Sequence, residues 1–249
     1  MMNLKQFFQE QPSVALAFSG GVDSTYLLAE AQRLAQRVKA YYVATAFQPR
    51  FEQEEALALA ADLGAELELI PLDITGAKEV LANPPERCYW CKKRIFTQIL
   101  EAARRDGFTV LIDGTNASDD WDERPGMRAL EELQVYSPLR LAGLTKEEIR
   151  QRSRELGLAT WDKPAYACLA TRIPTGRTIR LADLERTERA EAYLMGLGFR
   201  DLRVRLVGEL ARIQLRAEDL PKLLAQREEI LNQLKQDYQG VCLDLELRP

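Results

Sequence analysis

Apolar residues cluster in short unbroken runs over residues 13–18, 39–46, 67–72 and 109–113, and between the runs leucines and alanines return every three or four positions over 23–36, 51–63 and 91–105. A short continuous apolar run reads as a strand buried on both faces, whereas the three-to-four spacing reads as a helix with one apolar stripe. Strand and helix alternate, so the first part of the chain predicts βαβ crossovers and a parallel sheet covered on both sides. Sheets of that kind bind ligands beyond the carboxyl ends of their strands.

The pattern changes further along. Thr145 followed by Glu148 is a capping box, which predicts a helix over 145–156. A loop rich in Pro, Gly, Thr and Arg then covers 161–178, too long to be punctuation alone and so a functional segment. After it come a helix (181–197), two short strands (203–207 and 211–215), a helix (221–235) and a strand (241–247), the order of a small α+β domain. The expected architecture is α/β. A Rossmann-like parallel-sheet domain occupies 1–160, a cysteine-containing loop 161–180, and a small α+β domain for substrate or oligomer contacts 181–249.

Composition narrows the chemistry. The 249 residues contain no histidine, so acid–base work falls to carboxylates, Lys, Tyr, Cys or water, and metals must be held by thiolate or oxygen. A net charge of −4 and a pI near 5.3 argue against a surface built to neutralise a phosphate backbone. No signal-peptide run opens the chain and no stretch has the length of a membrane span, which predicts a cytoplasmic protein. Four cysteines without an export signal read as redox, metal or nucleophilic groups before they read as a disulfide frame.

Ser19-Gly20-Gly21-Val22-Asp23-Ser24-Thr25 stands where the first strand turns into its helix. There, backbone N–H groups and the helix dipole cradle an anion. The two glycines permit close backbone approach, the hydroxyls of Ser19, Ser24 and Thr25 add donors, and Asp23 offers a carboxylate to magnesium. The lysine of a kinase-type loop is missing. The segment resembles the PP-loop of ATP pyrophosphatases, which implies cleavage of ATP to AMP and pyrophosphate. Asp113-Gly114-Thr115-Asn116 and the residues through Asp119 begin at the end of the fourth strand, on the same sheet rim, and in PP-loop enzymes a similar segment lines the nucleotide site; a polar turn is the plainer reading. Asp119, Asp120, Asp122 and Glu123 are either further magnesium ligands or a solvated acidic loop.

Cys88 and Cys91 stand three apart at a helix start, flanked by Arg87, Lys92 and Lys93, a setting that favours thiolates. Cys168 lies in the long loop. Three thiolates without histidine suit an iron–sulfur cluster with one open iron; reactive thiols, a zinc site completed by Cys242, or a redox disulfide are the alternatives. Cys242, in a strand with Asp244 and Glu246 on its face, reads as an exposed bystander.

Four segments together resemble one family: the phosphate loop, Asn83-Pro-Pro-Glu-Arg-Cys-Tyr-Trp-Cys-Lys-Lys93, Asp113 to Asp119, and Lys163-Pro-Ala-Tyr-Ala-Cys-Leu-Ala-Thr-Arg-Ile-Pro-Thr-Gly176. They are similar to the ATP-dependent sulfur transferases called LarE, which help to build the nickel-pincer nucleotide cofactor on an adenine nucleotide alpha hydrolase-like fold. The resemblance implies ATP with Mg, a small-molecule nucleotide substrate (pyridinium bis-carboxylic acid mononucleotide), and its conversion through an acyl-adenylate to a thiocarboxylate. It also implies a sulfide or sulfur donor and a homo-oligomer; the sequence itself predicts no membrane partner and, from its acidic balance, disfavours nucleic acid. One branch sacrifices a cysteine matching Cys168; another holds a 4Fe-4S cluster on three cysteines, matching Cys88, Cys91 and Cys168. Having all three places this chain in the second. For substrate phosphate and carboxylates the resemblance points to Arg203, Arg205 and Arg212, with Arg172 and Lys163 in the loop, and it puts Glu191 at a subunit interface. A PP-loop tRNA thiolase, an amidating synthetase and a non-catalytic nucleotide sensor are the competing readings.

Overall fold

The computed structural model describes residues 2–120 and 125–248, and these form two compact units. The first takes in the chain up to Ile74 and Glu86–Ala165; the second takes in Thr75–Pro85 and everything from Tyr166 onward.

In the first unit the elements are α1 (Leu4–Glu10), β1 (Ser13–Ala17), α2 (Val22–Leu34), β2 (Arg37–Ala44), α3 (Arg50–Asp62) and β3 (Leu67–Pro71). Within the second unit's Thr75–Pro85 lies α4 (Lys78–Leu81). The first unit resumes with α5 (Arg87–Arg105), β4 (Leu111–Ile112), α6 (Pro125–Glu132), α7 (Pro138–Leu141) and α8 (Lys146–Glu155). Its sheet has the order β3-β2-β1-β4, parallel throughout. The alternation of side chains along a strand divides the core in two. Val14 and Leu16 of β1 and Ala40 and Tyr42 of β2 pack with α1, α2 and Ile149 of α8, while Ala15, Tyr41 and Val43 face the opposite side with Phe96, Ile99 and Ala103 of α5 and Leu130 of α6. Both faces of β1 and of the second half of β2 are therefore buried, which is why those stretches read as apolar runs, while β3 at the edge stays partly exposed.

α8 starts as the capping box requires: the Thr145 hydroxyl accepts from the Glu148 N–H at 3.3 Å, and the Glu148 carboxylate accepts from the Thr145 N–H at 2.8 Å. β4 is shorter than the run over 109–113 suggests. It is the sheet's edge, and past Ile112 the Asp113 N–H donates to Tyr136 O, drawing the chain toward α7.

The second unit continues with α9 (Leu181–Gly196), β5 (Arg203–Val207), β6 (Leu210–Gln214), α10 (Leu220–Ala225), α11 (Arg227–Leu234) and β7 (Gly240–Leu243). Its sheet runs β5-β6-β7, the first pair antiparallel and the second parallel. The helix expected over 221–235 is two helices that meet at Gln226, whose φ of −104° and ψ of 12° leave the helical region. The final strand stops at Leu243 because the Asp244 carboxylate accepts from the Glu246 N–H at 3.1 Å, a local side-chain turn that competes with the ladder. Asp244 is consequently buried and pairs with Arg212, not displayed beside Cys242 as the alternation suggested.

Candidate functional site

β1 is the switch point of the first unit's sheet: the chain proceeds from β1 to β2 and β3 on one side, then returns to place β4 on the other. Parallel strands that leave a central strand in opposite directions open a crevice beyond their carboxyl ends. The loops that follow β1 and β4 stand at this crevice.

The loop after β1 is tied internally. The Ser24 hydroxyl accepts from the Ser19 N–H at 3.3 Å, lies 3.0 Å from the Ser19 hydroxyl and donates to Gly21 O at 3.2 Å. Gly20 has φ +69°, and a side chain there would meet Ala56 Cβ at 2.9 Å, so only glycine both adopts the turn and lets α3 approach. Thr25 is buried in the first turn of α2, and its hydroxyl is enclosed without a hydrogen-bond partner.

The loop after β4 reaches across to this one. Asn116 Nδ2 donates to Asp23 Oδ1 at 3.2 Å, and Lys146 Nζ sits 2.5 Å from Asp23 Oδ2. Gly114 is pressed against the start of α2: a Cβ there would lie 2.9 Å from Ser24 N. Asp113, a candidate ligand by sequence, points inward instead. Its oxygens accept from Ser137 (2.7 Å) and Thr115 (2.5 Å), and burial pushes its carboxyl up, opposed by those two hydroxyls. It holds the loop in shape, while Asn116 faces Asp23. Asp119 likewise accepts from the Asn116 N–H at 3.0 Å. Asp120 is exposed; Asp122 and Glu123 fall outside the described residues. On the other side of the loop, Lys163 Nζ donates to Gly20 O at 3.1 Å and pairs with Glu55 at 2.8 Å.

Cys88 and Cys91 occupy the first turns of α5, one turn apart, the former exposed and the latter half-buried. The buried Arg87 places Nη2 3.8 Å from Cys88 Sγ. In the second unit, Cys168 precedes a short turn of 3-10 helix, Leu169–Arg172, and is half-buried and in no disulfide. Its carbonyl accepts from the Thr171 N–H, the Thr171 hydroxyl and Arg172 Nη1.

Arg172 itself is fully buried, forked onto Glu191 through Nε–Oε1 (2.8 Å) and Nη2–Oε2 (3.0 Å). Glu191 also accepts from Tyr166 and from the Val204 N–H, so every oxygen of this interior carboxylate is engaged by its own unit. Glu191, expected at a subunit interface, is thus enclosed within its own unit, and Arg172, expected at the substrate, is bonded there to Glu191 and to the backbone of the cysteine loop.

Tyr166 lies between the guanidinium groups of Arg172 (4.5 Å) and Arg203 (4.7 Å). Arg203 is buried too, and burial with Arg172 nearby pulls its guanidinium down to about 10. Of the expected substrate cations, Arg205 and Arg212 are partly exposed. They face each other across the β5–β6 ladder, Arg205 donating to Thr171 O at 2.9 Å and Arg212 pairing with Asp244 at 3.2 Å.

The chain is similar to known proteins over almost all of its length. Residues 5–119 match the family model described as asparagine synthase. An uncharacterised protein of Synechocystis sp. is 39% identical over 98% of this chain and 92% of its own length, and one of Methanocaldococcus jannaschii is 30% identical over 98% and 94%. The pyridinium-3,5-bisthiocarboxylic acid mononucleotide synthase of Lactiplantibacillus plantarum is 32% identical over 93% of this chain and 85% of its own. The chain belongs to the PP-loop ATP pyrophosphatase family that includes this synthase.

The family relationship makes the protein an ATP-using enzyme. Sequence reasoning missed Lys146. It lies 123 positions from Asp23, and only the packing of α8 against α2 brings it there; the one local sign was the neighbouring capping residue Thr145. Among the described residues, no three side chains of His, Cys, Asp or Glu are gathered as metal ligands, and no helix is long and apolar enough to cross a membrane.

Proposed function

We propose that this PP-loop enzyme is a sulfurtransferase that activates a carboxylate of pyridinium bis-carboxylic acid mononucleotide with ATP and replaces the adenylate by sulfur. The observation that carries the adenylation half is the convergence of the PP-loop and the post-β4 loop on one carboxylate, Asp23, at the mouth of the sheet. Asp23, an oxygen donor beside a phosphate cradle, suits magnesium and would hold it against the triphosphate. The substrate carboxylate attacks the α-phosphorus, and pyrophosphate leaves with the electron pair of the broken P–O bond. The acyl-adenylate that results has AMP as its leaving group, so a sulfur nucleophile adds to a carbon that resisted it as a carboxylate. AMP departs with its electron pair and the thiocarboxylate remains.

The sulfur-handling residues in this reading are Cys88, Cys91 and Cys168, none of them in a disulfide and none of them buried. The donor set suits iron and sulfide, being all thiolate in a chain without histidine. A 4Fe-4S cluster on these residues would supply sulfide at the iron that has no protein ligand. Arg205 and Arg212 are the cations left for the substrate's phosphate or second carboxylate, and the Arg172–Glu191 pair keeps the backbone at Cys168 in place.

The test is incubation with Mg-ATP and the dicarboxylic mononucleotide, with pyrophosphate release and product mass as readouts and tRNA offered in parallel. Pyrophosphate and a thiocarboxylate are expected only with the mononucleotide. Thiolated tRNA would favour the tRNA reading, and no pyrophosphate with either would remove adenylation altogether.

A further inference from the structure

The loop that carries Cys168 holds no helix or strand apart from the 3-10 turn at Leu169–Arg172, so its backbone groups need partners from elsewhere. Arg172 supplies them around the thiol, donating to Ala167 O at 2.7 Å and to Cys168 O at 3.2 Å. Beyond the turn a single residue does the same. Asn83, fully buried in the Thr75–Pro85 stretch of the same unit, donates through Nδ2 to Ile173 O at 3.3 Å and Pro174 O at 2.8 Å, and its own carbonyl accepts from the Gly176 N–H at 2.8 Å. The pairing continues toward α4, where Leu81 O accepts from the Ile179 N–H at 2.8 Å.

Two demands meet at this position. Asn83 has φ +56°, in the left-handed region that asparagine and aspartate enter more readily than other side chains. Its amide faces carbonyl oxygens, which call for a donor; a carboxamide has two N–H groups and an ionised carboxylate has none. Asparagine satisfies both. We infer that Asn83 is a positioning residue for sulfur transfer, one that clamps the far side of the cysteine loop as Arg172 clamps the near side and so fixes where the Cys168 thiol is presented. This role rests on the sulfur-transfer reading above. Asn83 also opens the run Asn83-Pro84-Pro85-Glu86-Arg87-Cys88, in which two prolines restrict the backbone, so the residue that clamps the Cys168 loop begins a stiff lead into the other two thiols.

The test compares full-length wild type, Asn83→Asp and Asn83→Gly, all metal-free, for the rate at which iodoacetamide alkylates Cys168, read from peptide mass. Cys242, an exposed thiol of the same unit, is the internal control, and thermal melts check folding. Loss of the buried amide contacts is expected to speed alkylation of Cys168 about tenfold in both variants and to leave Cys242 at its wild-type rate. Glycine keeps the left-handed backbone and aspartate keeps the side-chain shape, so an effect shared by the two belongs to the amide donor. With Mg-ATP and the dicarboxylic mononucleotide, the variants should keep the first-turnover burst of pyrophosphate and lose thiocarboxylate formation. An unchanged Cys168 rate in both variants overturns the inference. So does a parallel rise at Cys242, or a joint loss of pyrophosphate and thiocarboxylate, either of which would make Asn83 a general stabiliser. A wild type that releases pyrophosphate yet forms no thiocarboxylate would instead strike the sulfur-transfer reading, and the role in transfer with it, whereas the alkylation rates would still show whether Asn83 holds the loop.

Discussion

Gly114 shows how closely the nucleotide site depends on single atoms. A methyl group at this position would meet Ser24 N at 2.9 Å and Ser24 Cα at 3.2 Å, and both belong to backbone that cannot swing aside. Gly114→Ala must therefore push the post-β4 loop away from the start of α2, taking Asn116 from Asp23. Overpacking of this kind costs about 1–3 kcal/mol. We expect a folded protein with a modestly lower melting temperature and an ATP affinity reduced by roughly tenfold; calorimetric titration with wild-type affinity would show that the two loops need not touch. At this scale the sequence was readable where the chemistry is contiguous. Ser19 to Thr25 announces a phosphate loop because its glycines, hydroxyls and carboxylate adjoin one another. It was silent where partners are far apart: nothing near Asp113 tells that Ser137 and Thr115 turn its carboxylate inward, and nothing near Glu191 tells that Arg172 and Val204 saturate it.

Between elements, the C-terminal end of α5 is tied to the sheet by several side chains, Asp106 foremost, with Arg105 pairing with Glu68 of β3. Asp106, which caps the helix, accepts from Lys39 Nζ at 2.5 Å and from the Tyr41 hydroxyl at 2.7 Å, both on β2. The Lys39 ammonium and then the Tyr41 hydroxyl hold the Asp106 carboxyl down to about 2, below the ordinary carboxylate range. A depressed carboxyl stabilises the folded state wherever it is ionised in that state, so this contribution is complete above about pH 4 and disappears as the pH falls toward 2. In urea denaturation the stability gap between wild type and Asp106→Asn should be widest near neutral pH and close across that interval; a gap constant with pH would mean that the charge is not what holds the junction. The elements themselves were largely legible, since the central strands of the parallel sheet are covered on both faces and read as apolar runs. The helix over 221–235 was not: its apolar spacing continues through Gln226, and the backbone break there has no marker such as glycine.

For the molecule as a whole, the absence of histidine leaves the cysteine thiolates as the strongest candidate metal ligands, and the four cysteines differ in their surroundings. Cys88 and Cys91 share one helix of the first unit, Cys168 lies in the loop that Arg172 braces in the second, and Cys242 is exposed near the end of β7. The family resemblance, not spacing, made the first three a set. The fold assigns them to different units, so whether they act together is a property of the whole chain and is best read from bound metal. Anaerobically purified protein is expected to carry about four irons with matching sulfide. Cys168→Ser should lose them and Cys242→Ser should keep them, because the exposed β7 thiol has no part in the motif segments. Loss of iron in both variants would make Cys242 a fourth ligand and leave no open iron for sulfide transfer. Protein that stays metal-free after reconstitution yet forms the thiocarboxylate would make cysteine sulfur the donor, and mass lost at Cys168 after a single turnover would then identify the atom transferred.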